Sequence, residues 1–245
     1  MKDTKPPQSI EAVFPMRINK FLAHKGHATR READTIIEKG QVFLNGVKAK
    51  LGDKVLETDT VEVKGRAPKS YVYLAFHKPK DLITQSEEKG EKDVLDMLPS
   101  DLKRLKLFPL GRLDKASSGL LLLTNDGRIT DRLLNPAYDH EKTYEVTTKM
   151  PLRASFAEYM EKGVDIEGYL TKASKVEVLA DQRFRITITE GKKHQIRRMV
   201  VAMHNEVQDL RRVRIMNIEL GKLAPGAYRR LDGKELAIFL ESLGL

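Results

Sequence analysis

The stretch Leu120-Leu121-Leu122-Leu123-Thr124 constrains this chain most. It is wholly apolar up to its last residue and is closed by the turn signal Asn125-Asp126-Gly127, which predicts a strand covered on both faces. Such a strand needs other layers around it, and 245 residues with 40% hydrophobic side chains are enough to build them. The rest of the chain reads as strands with helices between neighbouring antiparallel segments, which favours an α+β class over a strict βαβ repeat.

Tyr71 to His77 predicts a strand stopped before Pro79, and Lys142 to Lys149 alternates with Tyr144 and Val146 on one side. Phe184, Ile186 and Ile188 mark another strand. Helices are expected over 152–162, over 193–204 with Ile196, Met199, Val200 and Met203 as the apolar stripe, and over 234–243. The N-terminal part is different. Ile18, Phe21 and Leu22 give one short helix ended by Gly26. Thr29 and Glu32 stand at capping-box spacing before Ala33, Ile36 and Ile37, with Gly40 past the end. Val42 to Leu44 runs into Asn45-Gly46, a two-residue hairpin signal, and Val61 and Val63 supply a further strand. The boundaries read as a disordered tail at 1–14, a small α+β module at 15–66, a linker at 67–70 and a larger domain at 71–245.

The chain carries a net charge of +9, and the excess is local: residues 191–214 hold seven basic and two acidic side chains, and residues 1–67 hold thirteen and nine. Concentrated positive charge is the footprint of a polyanion partner, although a solubility surface produces the same imbalance. There are no cysteines, which excludes disulfides, thiolate metal sites and a thiol nucleophile. No apolar window is long enough for a bilayer span and the first residues form no apolar leader, so a cytoplasmic protein without a membrane partner is expected. Phosphate-loop, dinucleotide and zinc-protease signatures are absent; His24 and His27 lack further ligands at metal spacing.

The informative segment is Pro109-Leu110-Gly111-Arg112-Leu113-Asp114-Lys115-Ala116-Ser117-Ser118-Gly119, which runs directly into the leucine strand. It puts a carboxylate in a Gly- and Ser-flanked loop beside a buried strand, where a reactive group is held and still approachable. On spacing alone Asp114 reads more readily as a loop or capping residue than as a nucleophile. The whole string, however, resembles the catalytic motif of pseudouridine synthases, in the ribosomal RNA branch that carries an S4-type RNA-binding domain in front. Met16 to Ala23, Thr29 to Ala33 and Gly40 to Gly46 resemble that S4 module. Lys142-Thr143-Tyr144-Glu145-Val146 resembles the family's tyrosine strand, and Glu190 to Met199 its basic helix. Asp139 to Lys142 and Arg214 to Asn217 are most similar to the F-type enzymes of the branch, which modify 23S RNA. The chain departs at Lys193-His194, where relatives more often carry Asn-Arg; both side chains still donate to phosphate.

The resemblance implies isomerisation of a ribosomal uridine, most plausibly in 23S RNA near the peptidyl transferase centre, by a monomer that needs no metal or cofactor. Asp114 would be catalytic, either adding to the sugar or removing a ribose proton. Arg197 would pair with it, and Tyr144 would stack on the target uracil. Arg112 would fill the gap left by the extruded base. Arg17, Lys20, Arg30, Arg31, Lys192, Lys193, His194, Arg198, Arg211 and Arg212 are candidates for RNA contacts. The alternatives are a non-catalytic S4-domain assembly factor that only binds RNA, or the same reaction on 16S RNA or at another 23S site.

Overall fold

The computed structural model describes residues 14–25, 27–65, 70–86, 91–172 and 174–245. The expected tail up to residue 13, the helix stop at Gly26 and most of the expected linker fall outside the described residues. The chain forms two units. One gathers the described residues up to Tyr71 with Asp126–Arg132 and Ser242–Leu245, and the other holds Val72–Asn125 and Leu133–Glu241.

In the first unit the order is β1 (Met16–Arg17), α1 (Ile18–His24), α2 (Arg30–Glu38), β2 (Val42–Leu44), β3 (Val47–Lys48), β4 (Lys54–Val55) and β5 (Val61–Val63). The Thr29 side chain accepts from the Glu32 amide while the Glu32 carboxylate accepts from the Thr29 amide, so the capping box forms and starts α2. Asn45 and Gly46 both take positive φ, at 50° and 79°, which is the backbone that a tight hairpin between β2 and β3 requires. Ile18, Phe21 and Leu22 of α1 pack with Ala33, Ile36 and Ile37 of α2, Val42 and Val55 in one core. Arg17, Lys20, Arg30 and Arg31 are exposed.

The chain continues with β6 (Tyr73–Lys78), α3 (Ser100–Lys103), β7 (Phe108–Leu110), β8 (Ser118–Thr124), α4 (Ile129–Leu134), most of which belongs to the first unit, β9 (Lys142–Thr148), α5 (Phe156–Lys162), β10 (Lys175–Ala180), β11 (Arg183–Ile188), α6 (Gln195–Ala202), β12 (Val207–Ile215), β13 (Ile218–Glu219), β14 (Tyr228–Arg230) and α7 (Gly233–Ser242). Among the described residues nine strands form one sheet in the order β10-β11-β9-β12-β8-β6-β14, with β7 on β8 and β13 on β12. Only β12 and β8 run parallel, so the fold is α+β with a mixed, largely antiparallel sheet.

All seven residues of β8 are buried, and the leucine run sits in the middle of the sheet. Leu121 and Leu123 pack with Leu74, Phe76, Val94 and Leu102. Along β9, Tyr144 and Val146 face a second core formed with Phe184 and Ile186 of β11, Phe156 and Met160 of α5, and Ile196, Met199 and Val200 of α6. Leu113, next to Asp114, belongs to the same core, so the Asp114 loop, α6 and the Tyr144 face of β9 share one side of the sheet. The helix expected over 152–162 begins only at Phe156, and that over 193–204 begins at Gln195 because His194, at φ 52° and ψ 28°, is its non-helical N-cap.

Candidate active site

The loop between β7 and β8 is tied down on every side except that of its carboxylate. Gly111 takes φ 75° to leave β7. The Thr84 hydroxyl donates to the Leu113 carbonyl at 2.7 Å and accepts from the Leu113 amide at 3.0 Å, which fixes the residue before Asp114. The Lys115 carbonyl accepts from the Asp81 amide at 2.8 Å, and the Ser117 amide donates to the Asp114 carbonyl at 3.0 Å. Beneath the loop, the fully buried Lys78 ammonium donates to the carbonyls of Pro79, Leu82 and Lys115. Burial pushes this lysine down to about 8 while Asp114 and Asp81 oppose the shift, which places its charge within electrostatic reach of the Asp114 carboxylate. Lys78 stands in no motif; its only signal in the sequence is its place directly after His77, at the end of a wholly buried strand.

The expected ion pair between Arg197 and Asp114 is not formed. Arg197 Nη2 donates instead to the Ala116 carbonyl at 3.3 Å and to Ser117 Oγ at 3.2 Å. The guanidinium therefore braces the loop two and three residues beyond the aspartate. The group that meets the carboxylate is His194, whose Nε2 lies 3.5 Å from Asp114 Oδ1, with 49% and 40% of the two side chains exposed. His194 is the left-handed N-cap of α6. That turn is held by buried Glu190, which accepts from the Gln195 amide side chain at 2.7 Å, the Tyr169 hydroxyl at 2.6 Å and the Lys172 amide.

Tyr144 is 8% exposed and part of the core that includes Leu113 and Ile196. Arg112, Lys192 and Lys193 are exposed, and Lys192 Nζ lies 4.3 Å from the centre of the Tyr169 ring. Arg212 corrects the sequence reading: it is 3% exposed, its Nε donates to the Leu120 carbonyl at 2.7 Å, and it lies beneath the exposed surface rather than on it. The sequence offers Arg211 and Arg212 alike as RNA contacts, whereas β12 pairs on both sides and buries Leu210 and Arg212 between its neighbours. Arg211 and Arg198 are also engaged internally. Arg211 bonds Glu145 at 2.7 Å on the sheet face opposite Tyr144, and Arg198 bonds the Ile166 carbonyl and Glu167.

A carboxylate on a rigid loop, with an aromatic strand residue in the core that the loop packs on, can act on the sugar of an extruded nucleotide without a cofactor. Comparison with known proteins agrees with that arrangement. Residues 72–202 match the RNA pseudouridylate synthase family and residues 16–61 match the S4 domain. The chain is 42% identical over 226 residues to the dual-specificity RNA pseudouridine synthase RluF of Escherichia coli, covering 90% of this chain and 77% of that one. It is 37% identical to the uncharacterized RNA pseudouridine synthase YtzG of Bacillus subtilis, covering 92% and 99%. Among solved structures, a crystal structure of a pseudouridylate synthase superposes with a TM-score of 0.68 at 29% identity, covering 93% and 99% of the two chains. The chain thus belongs to the RNA pseudouridylate synthase family.

Proposed function

We propose that the protein converts one uridine of ribosomal RNA to pseudouridine, with 23S RNA as the substrate and the F-type site near the peptidyl transferase centre as the target. The observation that carries this reading is the Asp114 carboxylate, projecting from a loop whose backbone is bonded at Leu113, Lys115, Ala116 and Ser117. The similarity to RluF supports the F-type assignment. The reaction detaches uracil from C1′, turns it and rejoins it through C5. Asp114 serves the ribose, as nucleophile or as base at the sugar. Tyr144 stacks on the uracil, and stacking of about 1 to 3 kcal/mol per base offsets much of the few kcal/mol needed to extrude it. Phosphate contacts from the exposed cations Arg17, Lys20, Arg30 and Arg31 of the S4 unit and from Lys192 and Lys193 supply the remainder.

Carbodiimide mapping of ribosomal and transfer RNA from a deletion strain, with and without the wild-type gene, tests the reading. One site is lost and regained with wild-type protein and not with Asp114→Asn, while that variant binds RNA within about threefold of wild type. A site regained with Asp114→Asn rejects the catalytic assignment. No change at any site favours the RNA-binding assembly factor.

A further inference from the structure

The face of β9 that carries Tyr144 holds more positive charge than the Asp114 loop requires. Lys142 stands two residues before Tyr144 and so starts from the same side of the strand. Arg212 is the register partner of Tyr144 on β12 and starts from that side too. The register partners of Lys142 are Ile188 and Ile215, both buried, so hydrocarbon stands on either side of it. Its ammonium donates to the His140 carbonyl at 3.2 Å. Arg212 spends Nε on the Leu120 carbonyl, and its Nη2 is buried with no partner. Among the described residues neither cation meets a carboxylate, and they act on each other instead: burial first, then the field of Arg212, push Lys142 down to about 8. Two cations within electrostatic reach of each other, one with an orphaned N–H, work against folding, because neither has a carboxylate to repay its lost hydration. A partner that arrives with the substrate supplies it.

The chemistry identifies that partner. When the bond between uracil N1 and C1′ breaks heterolytically, its electron pair leaves with the base, and the uracil becomes an anion with charge spread over N1, O2 and O4. The Asp114 carboxylate repels that charge. We propose that Lys142 and Arg212 form the receiving site for the detached uracil anion, donating N–H groups to its carbonyl oxygens while the ring turns beside Tyr144. C5 then gives an electron pair to C1′. The proton on C5 is removed and N1 gains one, so no oxidant, reductant or co-reactant is consumed. This inference rests on the reading of Asp114 as the group acting on the ribose.

Single-turnover conversion of a 23S transcript carrying uridine, or 5-fluorouridine in its place, tests it. Fluorine stabilises the base anion, so cleavage depends less on a cation, and disappearance of the original nucleoside is read in both RNAs. Lys142→Gln slows the uridine transcript about 100-fold and the fluorinated one no more than about tenfold, with RNA affinity within about threefold of wild type. Lys142→Arg keeps the charge and stays within about fivefold of wild type on both. Equal deficits on the two transcripts, a Gln variant as fast as wild type, or equal losses in the Gln and Arg variants would overturn the proposal. Asp114→Asn converts neither transcript; conversion by that variant overturns the underlying assignment as well, and so separates the two failures.

Discussion

His194 Nε2 lies 3.5 Å from Asp114 Oδ1, and this imidazole, not the Arg197 guanidinium, is what meets the Asp114 carboxylate. Both side chains are close to half exposed, so water screens the contact, and exposed ion pairs are worth about 0.2 to 1 kcal/mol. His194→Ala therefore slows single-turnover pseudouridine formation by no more than about fivefold. His194→Arg, which keeps a polar donor at this position, restores the wild-type rate. A loss of several hundredfold in the Ala variant would make His194 a proton-transfer group instead of a side chain at the rim of the site.

Arg197 acts through the loop. Its Nη2 bridges the Ala116 carbonyl and Ser117 Oγ, and no other side-chain donor reaches those two atoms among the described residues. Arg197→Met frees the loop to shift by a fraction of an ångström, and mispositioned catalytic groups cost rates of order 100-fold. The expected result is a fall in kcat of about 30- to 100-fold with RNA affinity within about threefold. An equal fall in affinity would assign Arg197 to phosphate binding. Arg197→Lys separates charge from geometry: a single ammonium lacks the planar fork and recovers only part of the rate.

Much of this architecture is legible in the sequence wherever the determinants are local. Thr29 and Glu32 start α2, Asn45-Gly46 turns β2 into β3, and the leucine run fills β8, because each feature depends on residues within a few positions of one another. What was not legible depends on partners distant in the chain. The two-residue pairing of β1 with β4 carries no periodicity of its own. The burial of Arg212 follows from a parallel contact with Gly119, 93 positions away, that no local pattern announces. The site follows the same division. Asp114 and Tyr144 stand in motifs, whereas the Thr84 clamp, the Lys78 ammonium and the exchange of roles between Arg197 and His194 emerge only when the loop meets α6 and β6.

Gly119 is where that parallel contact is closest. It takes φ 110°, and a Cβ there would stand 2.2 Å from the Arg212 carbonyl oxygen and 2.6 Å from its amide nitrogen. Those atoms are backbone of a central strand and cannot swing away. Gly119→Ala separates β8 from β12 or forces the loop to refold, at a cost of at least about 3 kcal/mol. Urea unfolding of the two proteins measures it, and a loss below about 1 kcal/mol would mean that the strands part easily.

Arg30 and Arg31 open α2 from exposed positions in the S4 unit. Positive charge there acts on RNA through counterion release, so replacing both with Ala weakens binding and lowers the salt slope by about 0.7 to 0.9 for each phosphate no longer neutralised. The rate at saturating RNA stays unchanged, because neither residue lies in the unit that holds Asp114. Filter binding across a salt series gives the slope, and an unchanged slope would remove this helix from the RNA surface.

Lys142 gives a pH dependence with a definite sign. Burial and Arg212 hold it at about 8 in the folded protein, against its ordinary 10.5. Between those values the unfolded chain binds more protons than the folded one, so stability rises with pH through this window. Below it the folded protein carries the full penalty of the partly buried ammonium. Lys142→Met abolishes that contribution, so the variant is more stable than wild type near neutrality, and its advantage shrinks by about 1 to 3 kcal/mol between about pH 7.5 and pH 10. Lys78, shifted in the same direction, is present in both proteins and cancels from the difference. Urea midpoints at the two pH values give the comparison. A difference that does not change with pH would mean that Lys142 is hydrated in the folded state, and the stability held in reserve for a bound anion would vanish with it.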